Sequence, residues 1–245
     1  MKNILDFFTS TTSANNFITF GFIHLFILFI ALSISVFIYK KNTESRKLEL
    51  FIGSVLILQQ LFLYSWYVIS GFHVLTEGLP LFHCRIAIIC IGIGLIFNKN
   101  TLLKIGSYWG IFGSISALLF PGLDPFAFPH ITQFSYFIGH LFLLWGSVYL
   151  LFVKNVGMSK SDFINILAFT NTYHVLMFAI NSIIGSNYGY MNFPPIHIGI
   201  GLNHIAYALA VMLLFNIVLF IEYILINKNK YEEDCTEDFT LQKAS

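Results

Sequence analysis

Residues 79–85, with the sequence Leu-Pro-Leu-Phe-His-Cys-Arg, bring together the side chains best suited to chemistry. An imidazole, a thiol and a guanidinium follow one another at His83, Cys84 and Arg85. They stand at the start of a long apolar run, where polar and charged groups are costly. Pro80 suits the first position of a helix, which would place Cys84 in the first turn. There the helix dipole and the neighbouring Arg85 favour a thiolate, so Cys84 is a candidate nucleophile.

A cysteine nucleophile needs a general base within hydrogen-bonding distance, and His140 is the leading candidate. It lies in a later apolar run, at a depth comparable with that of Cys84. His83 is the rival base, but adjacent residues of a helix point about 100° apart. Cys90 has no polar neighbours and is interpreted as a packing residue. Cys84 has the same simpler interpretation, because free cysteine is often a small buried hydrophobic residue.

Further polar residues are candidates for substrate binding. A guanidinium suits a phosphate or a carboxylate, so Arg85 is a candidate for holding a lipid head group, unless it extends to the membrane surface. His83 belongs to the same predicted set. Asn181, Asn187 and Tyr188 could stabilise an oxyanion or hold an ester, or could instead be caps and turn formers.

Other polar and aromatic residues have structural interpretations. Gln59 and Gln60 are expected to make hydrogen bonds between helices. Asp124 lies between two prolines and is expected in a turn. The aromatic residues at the end of the second apolar run are expected to anchor that helix at the membrane surface: Tyr64, Trp66 and Tyr67.

The composition is that of a multi-pass membrane protein. Of the 245 residues, 57% are hydrophobic and 10% are charged, whereas soluble domains have about 25% charged residues. Because lipid offers no partners for unpaired backbone groups, the prediction is an all-α bundle of seven transmembrane helices. Residues 1–226 would form this single domain, and residues 227–245 a polar cytoplasmic tail. The seven apolar runs are 17–39, 50–72, 80–97, 102–120, 134–153, 162–184 and 202–226.

The basic residues predict the orientation of the bundle. Eleven of the thirteen fall in the first, third and fifth connections or in the C-terminal tail, whereas the second, fourth and sixth connections contain none. The positive-inside rule then places the N-terminus outside and the C-terminus inside the cell membrane. A formal net charge of +1 argues against a nucleic-acid partner. Membrane lipids are the expected partners, without a cofactor or a metal, and the sequence does not define an oligomeric state.

The chain resembles the bacterial YwaF-like integral membrane proteins, which are similar to eukaryotic transmembrane protein 164. Four groups of residues carry the resemblance, in the same order over about residues 50–200: Leu79, Pro80 and Leu81 with Cys84; Tyr108, Trp109 and Gly110 with Pro121; residues 137–140; and Asn181 with Asn187 and Tyr188. The resemblance implies seven membrane helices and, from the eukaryotic branch, a cysteine-dependent acyltransferase acting on phospholipids. Cys84 then takes the place of the nucleophile and His140 that of the base. The bacterial pattern has a histidine two positions before the cysteine, where this chain has Phe82.

Three functions are compatible with these residues. In the first, a membrane acyltransferase or lipid acyl hydrolase, His140 deprotonates Cys84, which takes an acyl chain from a phospholipid as a thioester. The second is a non-enzymatic carrier or receptor for a lipid or small solute, which does not need Cys84. The third is a zinc-dependent hydrolase, with three ligands drawn from the polar residues expected on the outer side: His73, Glu77, His83, Asp124, His130, His140, His197 and His204.

Overall fold

The structure, a computed structural model, describes residues 4–194 and 203–244, with side chains described for residues 6–194 and 203–227. This part of the chain is helical and contains no β-strand. A 3-10 turn, Tyr188–Tyr190, precedes the last helix. The helices are α1 (Ile4–Phe7), α2 (Phe22–Lys41), α3 (Arg46–Ser70), α4 (His83–Phe97), α5 (Asn100–Leu119), α6 (Ile131–Phe152), α7 (Lys160–Ile184) and α8 (His204–Ala244).

Each of the seven predicted apolar runs forms a helix. Six of the helices are long and apolar enough to cross a membrane, so the chain is a multi-pass membrane protein. These are α2, α3, α5, α6, α7 and the segment His204–Asn227 of α8. The remaining helix, α4, has 15 residues. At 1.5 Å per residue it measures about 22 Å, less than the hydrocarbon core of about 30 Å.

Most helices begin or end a few residues away from the predicted apolar runs, and two of these differences have consequences. α4 begins at His83 with Phe82 as its N-cap, so the expectation that Pro80 occupies the first helical position is wrong. Side chains bond the carbonyls of Leu79 and Leu81, which keeps this segment outside the helix. At the other end of the chain, α8 continues to Ala244, beyond residue 226. A polar sequence ends a membrane span without necessarily ending a helix.

The helix ends follow the local sequence. α3 begins at Ser45, whose side chain accepts a hydrogen bond from the amide of Leu48. α7 begins with a reciprocal pair of bonds between Ser159 and Asp162, which satisfies amides that have no partner within the helix. α3 and α7 end at glycines in the left-handed conformation, Gly71 at φ 67° and Gly185 at φ 69°, which require no Cβ.

Helices α3, α4, α5 and α6 enclose the main core, which includes the fully buried Leu56, Leu95 and Leu143. α2 packs on α6, and α8 packs on α7 and α5 at the periphery. A second, smaller core contains Trp66 and Tyr67, which are 7% and 1% exposed. The prediction that these two residues anchor the helix at the membrane surface is therefore wrong.

One end of the bundle collects the basic residues, and we call it the basic end. It contains the connections α2–α3, α4–α5 and α6–α7. Arg46 donates to the carbonyls of Leu95 and Ile96, and Lys154 pairs with Glu49 at 2.5 Å, so the three connections lie together. The apolar segment of α8 ends there too, because Asn227 donates to the carbonyl of Met158 in the connection α6–α7.

The opposite end, which we call the cavity end, contains residues 8–16 and the connections α3–α4, α5–α6 and α7–α8. Ser13 donates its amide to Pro125, and the hydroxyl of Tyr188 accepts from the amide of Leu79. Successive helices α2 to α8 therefore run in alternating directions between the two ends.

Candidate active site

A cavity of about 90 Å³ opens between α3, α4 and α6 at the cavity end. Cys84, Arg85 and His140, three of the residues predicted from the sequence, line it together. The other lining residues come from four parts of the chain, namely α3, the loops at the cavity end, the first turns of α4 and α6, and the turn after α7: Gln59, Gln60, Leu63, Tyr67, Glu77, Phe82, Ile88, Gly122, Asp124, Thr132, Ser135, Tyr136, Gly139 and Tyr190.

Cys84 is the second residue of α4 and is half-buried at the cavity wall. The first amides of a helix have no partner within it, and Cys84 lies at this end of α4. Both Cys84 and Cys90 are free cysteines, and Cys90 is buried in the core as predicted. The thiol thus combines access to the cavity with backbone donors at its side.

His140 presents one free nitrogen at this cavity. Its Nδ1 lies 2.7 Å from the carbonyl of Tyr136 and must donate, because a carbonyl can only accept. In the neutral ring this leaves a lone pair on Nε2, which is buried and has no hydrogen-bond partner among the described residues. In this tautomer Nε2 is the ring nitrogen that can accept a proton. No hydrogen bond joins it to Cys84 in the described structure, so proton transfer needs one bridging water or a movement that brings the two groups together.

His83 faces away from the cavity, as the helical geometry predicts. Its Nε2 lies 2.9 Å from Nε2 of His174, and its ring stacks on Phe215 at a centroid distance of 4.1 Å. Trp109 and Tyr173 enclose the same pair of histidines. His83 therefore belongs to a buried polar contact between α4 and α7 and does not touch the cavity where substrate binding was predicted.

Arg85 lines the cavity but also holds the loop before α4. Its Nη1 donates to the carbonyls of Glu77 and Leu79, the second at 3.0 Å, and its Nη2 donates to the hydroxyl of Tyr67 at 3.3 Å. The guanidinium also lies 5.1 Å from the ring centroid of Phe82. The salt bridges of the described residues do not include Arg85. Its charge is thus bonded to neutral partners next to the cavity.

Two carboxyl groups in the cavity wall, those of Glu77 and Asp124, were not predicted as site residues of a Cys-His enzyme. Asp124 accepts a hydrogen bond from the hydroxyl of Tyr67 at 3.1 Å, so it is more than a turn residue. Burial raises the pKa of the Glu77 carboxyl, and the charge of Asp124 raises it further, while Arg85 and His73 oppose this change. The cavity therefore has a mixed electrostatic character.

The two glutamines of α3 have different roles. Gln59 bonds Ser135 of α6 through both the backbone carbonyl, at 2.9 Å, and the hydroxyl, which confirms the predicted contact between helices. Gln60 donates to Gln59 at 2.7 Å, and its own Oε1 is buried without a partner among the described residues. In the sequence, this wall of the cavity is indicated by two adjacent glutamines within an apolar run.

Asn181 lies in the last turn of α7, and Asn187 and Tyr188 lie in the turn that follows it. None of the three lines the cavity. Asn181 accepts from the amide of Tyr188 and donates to its carbonyl, both at 2.8 Å. Asn187 bonds the backbone of Asn192 and Phe193. The structure thus favours the alternative in which these residues form a turn. That they contact substrate stays a prediction, because none of them lines the cavity.

The histidines and acids proposed as zinc ligands are dispersed. Within residues 6–194 and 203–227, no group of three or more His, Cys, Asp or Glu side chains is placed to hold a metal ion. His130 bonds Thr132 and the carbonyl of Thr9, and His204 bonds Asn192. His197 lies outside the described residues.

Comparison with known protein families gives a match that covers most of the bundle. The model of the TMEM164 family matches residues 8–227, from the N-terminal segment to the apolar part of α8. No curated protein and no solved structure matches the chain. A match of this extent includes every residue that lines the cavity. The chain belongs to the TMEM164 family.

Proposed function

We propose that this protein is a membrane-embedded acyltransferase or acyl hydrolase of phospholipids, with Cys84 as the nucleophile and His140 as the general base. One observation carries the proposal: a thiol in the first turn of α4 and an imidazole with a free Nε2 line the same cavity. A cysteine nucleophile needs such a base, and the hydrogen bond from Nδ1 to Tyr136 fixes the orientation of the ring.

The reaction proceeds in two steps. In the first, Nε2 of His140 takes the thiol proton, and the sulfur of Cys84 attacks the ester carbonyl carbon. The ester C–O bond breaks, and His140 returns the proton to the departing lysolipid oxygen, which leaves a thioester on Cys84. In the second step a lysolipid hydroxyl or water gives its proton to His140 and attacks the thioester, and the proton then returns to the sulfur. A hydroxyl makes the protein a transferase, and water makes it a hydrolase.

The size and charge of the cavity suit the reacting ester rather than a whole lipid. A volume of about 90 Å³ corresponds to roughly three water molecules. The acyl chains would stay in the membrane, beside the exposed apolar residues of the outer helices. Arg85 would attract the phosphate of the head group through the N–H groups that its loop contacts leave free.

We also propose that all seven helices from α2 to α8 cross the cell membrane, with the N-terminus outside. The alternating direction of α2 to α8 and the collection of Lys and Arg at the basic end support this orientation. The cavity then lies near the outer leaflet.

The test is acyl exchange by purified protein in lipid vesicles. We expect Cys84→Ala and Cys84→Ser to abolish exchange and to prevent thioester formation, because both remove the sulfur. His140→Ala should slow both steps by about 10²–10⁴-fold, the usual contribution of a general base. Cys90→Ala is the matched control, since Cys90 is a buried thiol of the same helix, and it should retain activity. Equal exchange by all four variants and the wild type would refute the proposal and favour a carrier or receptor.

A further inference from the structure

The proposed reaction also needs a side chain that stabilises the reacting carbonyl oxygen, and no residue has yet been assigned to this role. Attack on an ester or thioester places negative charge on the carbonyl oxygen, and enzymes stabilise it with hydrogen-bond donors that are already in position. The amides in the first turn of α4 are donors on the side of the sulfur. Asn181 and Asn187, the side chains predicted for this role, are bonded within their own turn. A side-chain donor must therefore be sought in the cavity wall.

Five side chains that line the cavity carry a hydroxyl group, and four of these groups already take part in hydrogen bonds within the protein. The hydroxyls of Tyr67, Thr132 and Tyr136 donate to Asp124, to His130 and to the carbonyl of Ala117, whereas that of Ser135 accepts from the Gln59 amide. The fifth belongs to Tyr190. Its hydroxyl has no hydrogen-bond partner among the residues that the structure describes, so its proton is available to a ligand.

The turn that carries Tyr190 is held in an unusual conformation. Tyr190 has φ 54° and Gly189 has φ 67°, so two successive residues are left-handed. Such a φ is costly for a residue with a side chain and persists only where the surroundings enforce it. A Cβ at Gly189 would lie 3.0 Å from the hydroxyl of Tyr173 and 3.3 Å from Cε1 of His83. Little space remains there for a larger residue.

Hydrogen bonds enforce this conformation. The amide of Tyr190 donates to the carbonyl of Asn187 at 2.9 Å, and Asn181 holds both the amide and the carbonyl of Tyr188. The ring of Tyr190 packs on Phe82, the residue before α4, at a centroid distance of 5.4 Å. The turn residues that sequence analysis singled out thus serve to present Tyr190 to the cavity.

We propose that Tyr190 is a further catalytic residue, whose hydroxyl donates a hydrogen bond to the carbonyl oxygen as it becomes negative. The assignment rests on the proposed acyl transfer. When the sulfur of Cys84 bonds to the ester carbon, the π electrons of the carbonyl move to its oxygen, which accepts from Tyr190. When the carbonyl re-forms, the C–O bond of the ester breaks, and the lysolipid oxygen takes its proton from His140. The same contact serves the second step, in which the C–S bond breaks.

The experiment compares Tyr190→Phe with Tyr64→Phe. Each change removes one hydroxyl and keeps the ring, and Tyr64 is a suitable control because its buried hydroxyl has no partner among the described residues and does not line the cavity. The probe is phosphatidylcholine with a fluorescent acyl chain, in phosphatidylcholine vesicles. The readouts are the rate of hydroxylamine-sensitive labelling of Cys84, the rate of loss of that label, the KM and the apparent Tm.

For Tyr190→Phe we expect both rates to fall by about 10²–10³-fold, as for loss of one oxyanion donor, with unchanged KM and Tm. Tyr64→Phe should match the wild type. If the two variants react equally fast, or if Tyr190→Phe changes only KM or Tm, the assignment of Tyr190 is wrong while the proposed function stands. If the wild-type protein forms no Cys84-dependent thioester, the proposed function fails and the assignment with it.

Discussion

Among single residues, Glu77 is a cavity-wall carboxyl group whose ionisation the fold opposes. Burial and the neighbouring Asp124 raise its pKa above the usual value of 4.5, and Arg85 and His73 only partly compensate. The folded protein therefore binds the Glu77 proton more tightly than the unfolded chain does. By linkage, the contribution of Glu77 to stability is greatest below pH 4.5 and is lost as the pH rises from 4.5 through the raised pKa.

We expect Glu77→Gln to remove this pH dependence. The variant cannot ionise at this position, so its apparent Tm in detergent should exceed that of the wild type at neutral pH and converge with it toward pH 4.5. Thermal unfolding across this pH range measures the effect. Glu44→Gln is the control, because Glu44 is exposed in the connection α2–α3. A wild-type curve and a Glu77→Gln curve that run parallel across the range would contradict the prediction.

The candidate nucleophile and base could be selected from the sequence, because Cys84 and His140 stand out from the apolar residues around them. Gln60 and Tyr190 could not be selected in the same way. Gln60 is one of two adjacent glutamines, and only packing against α6 determines which of them bonds Ser135 and which keeps a free oxygen. Tyr190 reaches the cavity through two left-handed residues, and no helical or strand periodicity predicts such a turn.

Among the structural elements, the loop before α4 shows how irregular backbone is accommodated beside a membrane helix. Non-helical backbone at membrane depth requires partners within the protein. Arg85 binds the carbonyls of Glu77 and Leu79, Tyr173 binds that of Leu81 at 2.5 Å, and the hydroxyl of Tyr188 bonds both the amide of Leu79 and the carbonyl of Leu75. The sequence predicted that a helix starts here. The later start arises because these distant side chains replace the hydrogen bonds of a helical turn.

Arg46 has a comparable role at the other end of α4. It donates to the carbonyls of Leu95 and Ile96 at 2.5 and 2.7 Å and to Asn98 at 3.0 Å, and thereby satisfies the last turn of the helix. Hydrogen bonds to charged groups contribute about 1.5–3 kcal/mol each, but this side chain is 42% exposed. We therefore expect Arg46→Ala to cost about 2 kcal/mol in total, which lowers the Tm of a protein of this size by roughly 4–8 °C.

Thermal unfolding in detergent, with Lys47→Ala as the control, tests this prediction. Lys47 is the next residue and carries the same charge, but it is exposed and makes none of the contacts of Arg46. Arg46→Lys should recover only part of the loss, because an ammonium group cannot reproduce the planar fork of the guanidinium. If Arg46→Ala and Lys47→Ala have the same Tm, the contacts of Arg46 do not stabilise α4.

At the scale of the whole molecule, the number of membrane crossings depends on α4. The sequence predicted seven spans from charge alternation, and six helices meet the length and hydropathy expected of a span. The alternating direction of α2 to α8 requires α4 to connect the cavity end with the basic end. Its 15 residues are short for this purpose, but residues 78–82 extend it, and the carbonyls of Leu79 and Leu81 are bonded by side chains of the protein. Sequence length alone could not reveal this extension.

We predict that residues on the two sides of α4 are accessible from opposite sides of the membrane. The native cysteines are first replaced by alanine, and single cysteines are then introduced at positions 75 and 99. Leu75 precedes α4 and is 63% exposed, and Lys99 follows α4. A membrane-impermeant thiol reagent should label position 75 in intact cells and position 99 only after permeabilisation, because the proposed orientation places the basic end in the cytoplasm. Thr43→Cys, in the connection α2–α3, should behave like position 99. Labelling of positions 75 and 99 from the same side would mean that α4 does not cross the membrane. The protein would then have six spans, and the start of α2 and the end of the last span would lie on the same side of the membrane.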